Sequence, residues 1–115
     1  MKLRVLLLRK GLFTRLETGV TPHDKDVLLM WRKVLDEMLI ALVSTDTSAS
    51  DHSMRWFNSQ PGTPDFYVDD RTGTEYTVDM NEEYRECCAL ANLDPKFVTE
   101  TAMTVYRKIK EEDAA

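Results

Sequence analysis

The segment from Cys87 to Val98, Cys-Cys-Ala-Leu-Ala-Asn-Leu-Asp-Pro-Lys-Phe-Val, constrains the fold more than any other part of the chain, because it spells one helix, a tight turn and a second helix. A small residue at Cys88, a turn residue four positions on at Asn92 and β-branched Val98 six further on follow the spacing that lets two short helices cross closely. Asp94 is a good N-cap and Pro95 a good first helical residue. The pattern predicts helices from about Asn81 to Ala91, with Tyr84, Cys87, Cys88 and Ala91 on one face, and from Pro95 to Lys110, with Val98, Ala102, Val105 and Ile109 as an apolar seam. Arg107, Lys108 and Lys110 then fall in the last turns, where cations suit the helix dipole. Such a helix-turn-helix-like pair over residues 81–110 serves DNA reading or plain packing.

Upstream, from about Asp24 to Val43, apolar Val27, Trp31, Val34 or Leu35, Met38 and Leu42 recur at helical spacing beside a second row at Leu28, Leu35 and Leu39. This predicts a central helix over 24–43 with a wide apolar face, Trp31 in the core and Thr21-Pro22 at its entry. Arg32, Lys33, Asp36 and Glu37 mark the expected solvated side. The run Ser44 to Ser50 ends that helix and offers Asp46 or Ser48 as the cap of a short one through Met54, Trp56 and Phe57. Pro61-Gly62-Thr63-Pro64 forces a loop. Phe66-Tyr67-Val68 and Glu75-Tyr76-Thr77-Val78 then flank a turn with Gly73 at a positive φ, a β-hairpin over residues 65–79. An isolated hairpin is marginal in water, so it should pack on the helices or pair with residues 3 to 8. Those residues read either as a short buried strand or as the start of an amphipathic helix through Leu12, Phe13 and Leu16. The expected fold class is α+β, mainly α-helical, in a single domain over residues 1–115.

Net charge is −5 but segregated: residues 1–20 carry five Lys or Arg against one Glu, whereas residues 21–80 carry five against eleven acids. A basic N-terminal arm over 1–20 suits phosphate or an acidic partner, and the acidic middle repels nucleic acid unless it faces away. The uninterrupted apolar run near the start, Val5 to Leu8, is too short for a secretion signal or a membrane span. A cytoplasmic chain without a membrane partner is therefore expected, with Cys87 and Cys88 as free buried thiols and core filler.

Two sets of residues are candidates for binding. For DNA, the start of the second helix of the pair would present Lys96, Phe97, Thr99, Glu100 and Met103, with Arg107 further along. Lys96 and Thr99 suit phosphate and Glu100 suits cytosine, but no Arg or Asn offers the commoner paired contact with guanine or adenine. Residues 81–115 hold eight acids against five bases, which favours packing over DNA reading. For protein, the hairpin carboxylates Asp65, Asp69, Asp70, Glu75 and Asp79 are either a solvated edge or a surface for a basic partner. Trp56 and Phe57 are either a partner anchor or core. No catalytic constellation, cofactor motif or metal-ligand spacing is present: His23 and His52 lie about thirty residues apart, and vicinal cysteines lack the gap of a zinc knuckle or redox pair.

Arg55-Trp56-Phe57-Asn58-Ser59, followed by Tyr84 to Val98, resembles small proteins of bacteriophages and their hosts. Those proteins pair a Trp-Phe or Trp-Leu segment with a motif like Val-Cys-x-Leu-Ala-Gly-Leu-Asp-Pro-x-x-Val. Here Asn92 replaces the usual glycine, and a hairpin is inserted between the halves. The resemblance implies a viral context more than an activity. The expectation is a small non-enzymatic, phage-type accessory protein that regulates or inhibits a host or phage protein through Trp56, Phe57 and the acidic hairpin. The alternative is a helix-turn-helix module in phage transcription or DNA packaging that binds duplex DNA, as a symmetric homodimer using the basic arm.

Overall fold

The computed structural model describes residues 2–19 and 22–114; Thr21, expected at the entry of the central helix, and the side chain of His23 lie outside the described residues. The described residues form α1 (Leu3–Lys10), a single 3-10 turn (Phe13–Arg15), α2 (Pro22–Leu42), α3 (Thr47–Phe57), β1 (Pro64–Val68), β2 (Glu75–Asp79), α4 (Met80–Leu90) and α5 (Pro95–Ala114). The fold is α+β and mainly helical. Residues 3–8 are helix rather than strand, and Gly11, at φ 69°, ends that helix before Leu12, Phe13 and Leu16 are reached.

Helix α2 supplies the centre of the core through Leu35, Leu39 and Leu42, in one cluster with Cys88 of α4, Ala91 just past its end, and Val98, Ala102 and Ile109 of α5. Its solvated side is narrower than its sequence implies. Lys33 and Glu37 are exposed, but Arg32 (1% exposed) and Asp36 are buried. Arg32 donates from Nη1 to the carbonyls of Leu16 and Glu17 at 2.8 and 3.1 Å and from Nε to that of Ala91 at 2.9 Å. Asp36 accepts from the backbone N–H of Leu12, Phe13 and Thr14 and from the Thr14 hydroxyl. Each charge is thus satisfied by backbone that has no helical or strand partner, which is why both can leave water. Conversely Val27, expected on the apolar stripe, is exposed, and Trp31 is half-buried against the core.

The α4–α5 turn is a Schellman motif. Leu93 N–H donates to Cys88 and Asn92 N–H to Ala89, with Asn92 at φ 55° in the left-handed region that Asn tolerates better than most residues. Asp94 Oδ1 then accepts from Lys96 N–H, capping α5. Helix α5 runs one turn past Lys110, so Arg107, Lys108 and Lys110 do not occupy its last turn. That turn is acidic instead, and α1 compensates it: Leu3 N–H donates to Glu112, and Arg4 makes a bidentate pair with Asp113 at 2.8 and 2.9 Å. The same carboxylates suit the positive N-terminus of α1.

Strands β1 and β2 pair antiparallel, with Pro64 opposite Asp79, Tyr67 opposite Tyr76 and Val68 opposite Glu75. No third strand joins them among the described residues. The hairpin is held at its base, where Asp79 caps α4 through Asn81 and Glu82 N–H and also accepts from Gly62 N–H, while Met80 N–H reaches Thr63. Its tip projects. The radius of gyration, 15.2 Å, exceeds the roughly 13 Å usual for a chain of this length.

Candidate functional site

The hairpin has two unlike faces, because directly opposed residues of antiparallel strands share a face. The inner face carries Asp65, Tyr67, Tyr76 and Val78. There the Tyr67 and Tyr76 rings stack at 5.6 Å, and the Tyr67 hydroxyl donates between Asp65 at 3.1 Å and Glu83 of α4 at 3.3 Å. Loss of hydration and then the two carboxylates push that phenol up to about 12, so it stays a donor and fastens the hairpin to α4. His52 Nε2 of α3 stands 3.7 Å from the same Asp65 carboxylate.

The outer face carries Pro64, Phe66 and Val68 opposite Asp79, Thr77 and Glu75. Phe66 is 74% exposed and Val68 58% exposed. At the tip, Asp69 N–H donates to Thr74, Gly73 N–H donates to the Asp69 carbonyl with Gly73 at φ 71°, and the Asp69 carboxylate accepts from Arg71 N–H. Asp69 is therefore part of the turn, whereas Asp70 and Glu75 are exposed carboxylates flanking the apolar face. Asp65 lies on the other side, committed to Tyr67 and His52.

Of the expected protein-binding residues, the structure gathers Asp69, Asp70 and Glu75 at the outer end of one element and removes Trp56 and Phe57 from the surface. Both aromatics are buried and pack edge-to-face with each other and with Tyr84, at centroid separations of 4.8 to 6.0 Å. They are core because α3 packs against α2 as well as α4 and α5, leaving neither ring a solvent face. The apolar residues that the outer face leaves in water, Phe66 and Val68, were read from sequence only as strand residues and not as a binding surface. Their signal is the unalternated Phe66-Tyr67-Val68 run: a two-stranded hairpin with apolar residues on both faces must leave one of them uncovered.

The expected DNA-reading set is dispersed. Lys96, Glu100 and Arg107 are exposed on α5, but Thr99 is half-buried and its hydroxyl is engaged, donating to the Phe57 carbonyl at 2.8 Å and lying 2.6 Å from the Tyr84 hydroxyl. Met103 packs on the core. Beside Lys96, the groove along α4 is lined by Arg85 with Asp79, Glu82 and Glu86, so acids outnumber bases where phosphate would have to lie. Cys87 and Cys88 are free and buried, and burial pushes their thiols up to about 11 and about 12, away from thiolate chemistry. Among the described residues no group of three His, Cys, Asp or Glu side chains is arranged to hold a metal, and no helix is long and apolar enough to cross a membrane.

No family model matches the sequence, and comparisons with curated proteins and with solved structures find no significant match.

Proposed function

We propose that the chain is a non-enzymatic protein-binding accessory factor whose docking element is the hairpin, and that its partner is a host or phage protein presenting a basic surface with an apolar recess. The observation that carries this reading is the projecting outer face, where Phe66 and Val68 stand in water beside Glu75 and Asp70. Exposed apolar area rimmed by charge marks interaction sites, and aromatic anchors supply most of their energy. Carboxylates around such an anchor direct it to a basic patch and suppress wrong partners. The phage setting rests on the resemblance of residues 55–98 alone.

The test is affinity capture from a bacterial extract with the full chain and its variants. A protein retained by the natural sequence should be lost, by about tenfold or more, with Phe66→Ser or Asp70→Lys and kept with the pair Lys96→Ala and Arg107→Ala. The opposite pattern favours the helix-turn-helix alternative: a salt-sensitive shift of duplex DNA, released by Lys96→Ala and Arg107→Ala and indifferent to Phe66→Ser.

A further inference from the structure

A second surface of the molecule is the chemical counterpart of the hairpin. Residues 2–10 carry Lys2, Arg4, Arg9 and Lys10 and no acid, a net +4, while residues 64–79 carry Asp65, Asp69, Asp70, Glu75 and Asp79 against Arg71, a net −4. Arg4 is already paired with Asp113, and Glu112 faces Leu3 N–H, but Lys2, Arg9 and Lys10 are exposed. Between α1 and the end of α2 lies an apolar recess of about 220 Å³, lined by Leu7, Leu8, Ile40 and Val43 with Arg4, Ser44 and Thr45 at its margin. Leu8 at its lip is 60% exposed. An apolar cavity of roughly 150 Å³ holds a benzene ring, so the recess is large enough for a phenylalanine side chain.

We infer that the α1–α2 recess binds the hairpin of a second copy of this chain, with Phe66 in the recess and Asp70 and Glu75 beside Arg9 and Lys10. This rests on the hairpin being the docking element, and it adds a regulator: a hairpin seated on another copy is withheld from any other partner. The contact does not close within one molecule. The hairpin joins the body at the start of α4, where Tyr84 meets the first turns of α5, whereas α1 is tied to the last turn of α5. Twenty residues of helix, about 30 Å, separate those ends. Pairing of two hairpins edge to edge is opposed by the like charge of −4 on each, while hairpin against α1 brings opposite charges together. Two different patches make the contact heterologous, so it builds chains or rings rather than a single two-fold dimer, unless two such contacts close reciprocally.

Sedimentation velocity of the full chain tests this directly. The expected result is mass that rises with concentration and falls as salt is added. Phe66→Ser and Leu8→Glu, both at exposed positions, should each weaken association by about tenfold or more, while circular dichroism and the melting of the dilute, monomeric chain stay unchanged. An equimolar mixture of the two variants should recover a 1:1 dimer that grows no further, because only one intact recess and one intact hairpin remain to meet. Glu75→Arg and Lys10→Glu, each weak alone, should restore one another on mixing. A chain that is monomeric throughout, or association that the mixture fails to rescue, overturns the inference. Capture of a foreign protein through Phe66 by a strictly monomeric chain overturns it while leaving the hairpin reading intact.

Discussion

The helical body and the hairpin invert the usual distribution of polarity in opposite directions. The body buries two charged side chains, Arg32 and Asp36, one turn apart on α2, while the hairpin leaves Phe66 and Val68 in water. Both inversions follow from what lies behind each element. The loop 11–19 and the end of α4 bring carbonyls and N–H groups to α2 that have no secondary-structure partner, and only charged side chains long or branched enough to bind several at once can satisfy them. Nothing lies behind the outer face of the hairpin. Charge inside the body therefore does structural work, and apolar area outside the hairpin is left over from folding and open to use.

The largest effect should come from breaking the first inversion. Arg32→Met keeps most of the volume but orphans the carbonyls of Leu16, Glu17 and Ala91, which should lower unfolding free energy by about 4 kcal/mol, read by urea denaturation. Asp36→Ala should follow at about 3 kcal/mol, since four donors lose one acceptor. Gly11→Ala tests the same bracket from the backbone side. At φ 69° an alanine is strained, and its Cβ would collide with the Asp36 carboxylate and lie 2.9 Å from the Thr14 hydroxyl. It should cost about 2 kcal/mol or more. If these changes are silent, the two charges are not brackets.

What could be read from sequence was what depends on near neighbours. The α4–α5 turn is written in Asn92, Asp94 and Pro95, each acting within a few residues, and the hairpin and the Asp46 cap of α3 are equally local. Arg32 and Asp36 defeat pattern reading because their partners are backbone groups 15 to 59 residues away, and a carbonyl has the same signature at every position. The extra turn of α5 was hidden for a related reason. Glu111, Glu112 and Asp113 oppose the dipole of their own helix, and only the arrival of Arg4 and the N-terminus of α1 makes them tolerable. As for the candidate site, the hairpin carboxylates were legible, but Trp56-Phe57 was not separable from a surface anchor until α3 was seen to pack among α2, α4 and α5.

A pH series sharpens the comparison, because the body holds buried thiols and the outer face of the hairpin holds none. The folded chain raises Cys87 from 9.0 to about 11 and Cys88 to about 12 through burial. A folded pKa above the unfolded one means that the native state binds the proton more tightly, so this contribution is complete below pH 9 and is lost as pH rises toward 11 and 12. Urea midpoints should therefore fall steeply in that window. The double variant Cys87→Ala and Cys88→Ala should delay the fall toward the range where unfolded tyrosine titrates, near 10.0, because Tyr84 is raised by burial too. The diagnostic is the slope against pH rather than the absolute stability, which the lost side-chain volume changes in its own right.

The smallest effect is the one that separates the two regions most clearly. Phe66→Ser removes a large apolar group, which in the body would cost about 3 to 5 kcal/mol. On the outer face the ring has almost no neighbours to lose, so unfolding free energy should change by about 0.5 kcal/mol or less. Any change should arise from the β-propensity of the strand, and Phe66→Thr, which places a strand-favouring β-branched residue opposite Thr77, should erase it. A cost of several kcal/mol for Phe66→Ser would mean that the ring is packed in solution, and a cost that grows with protein concentration would locate that packing in another molecule. Stability indifferent to Phe66 together with binding that depends on it is the behaviour of a side chain held outside the core for a partner.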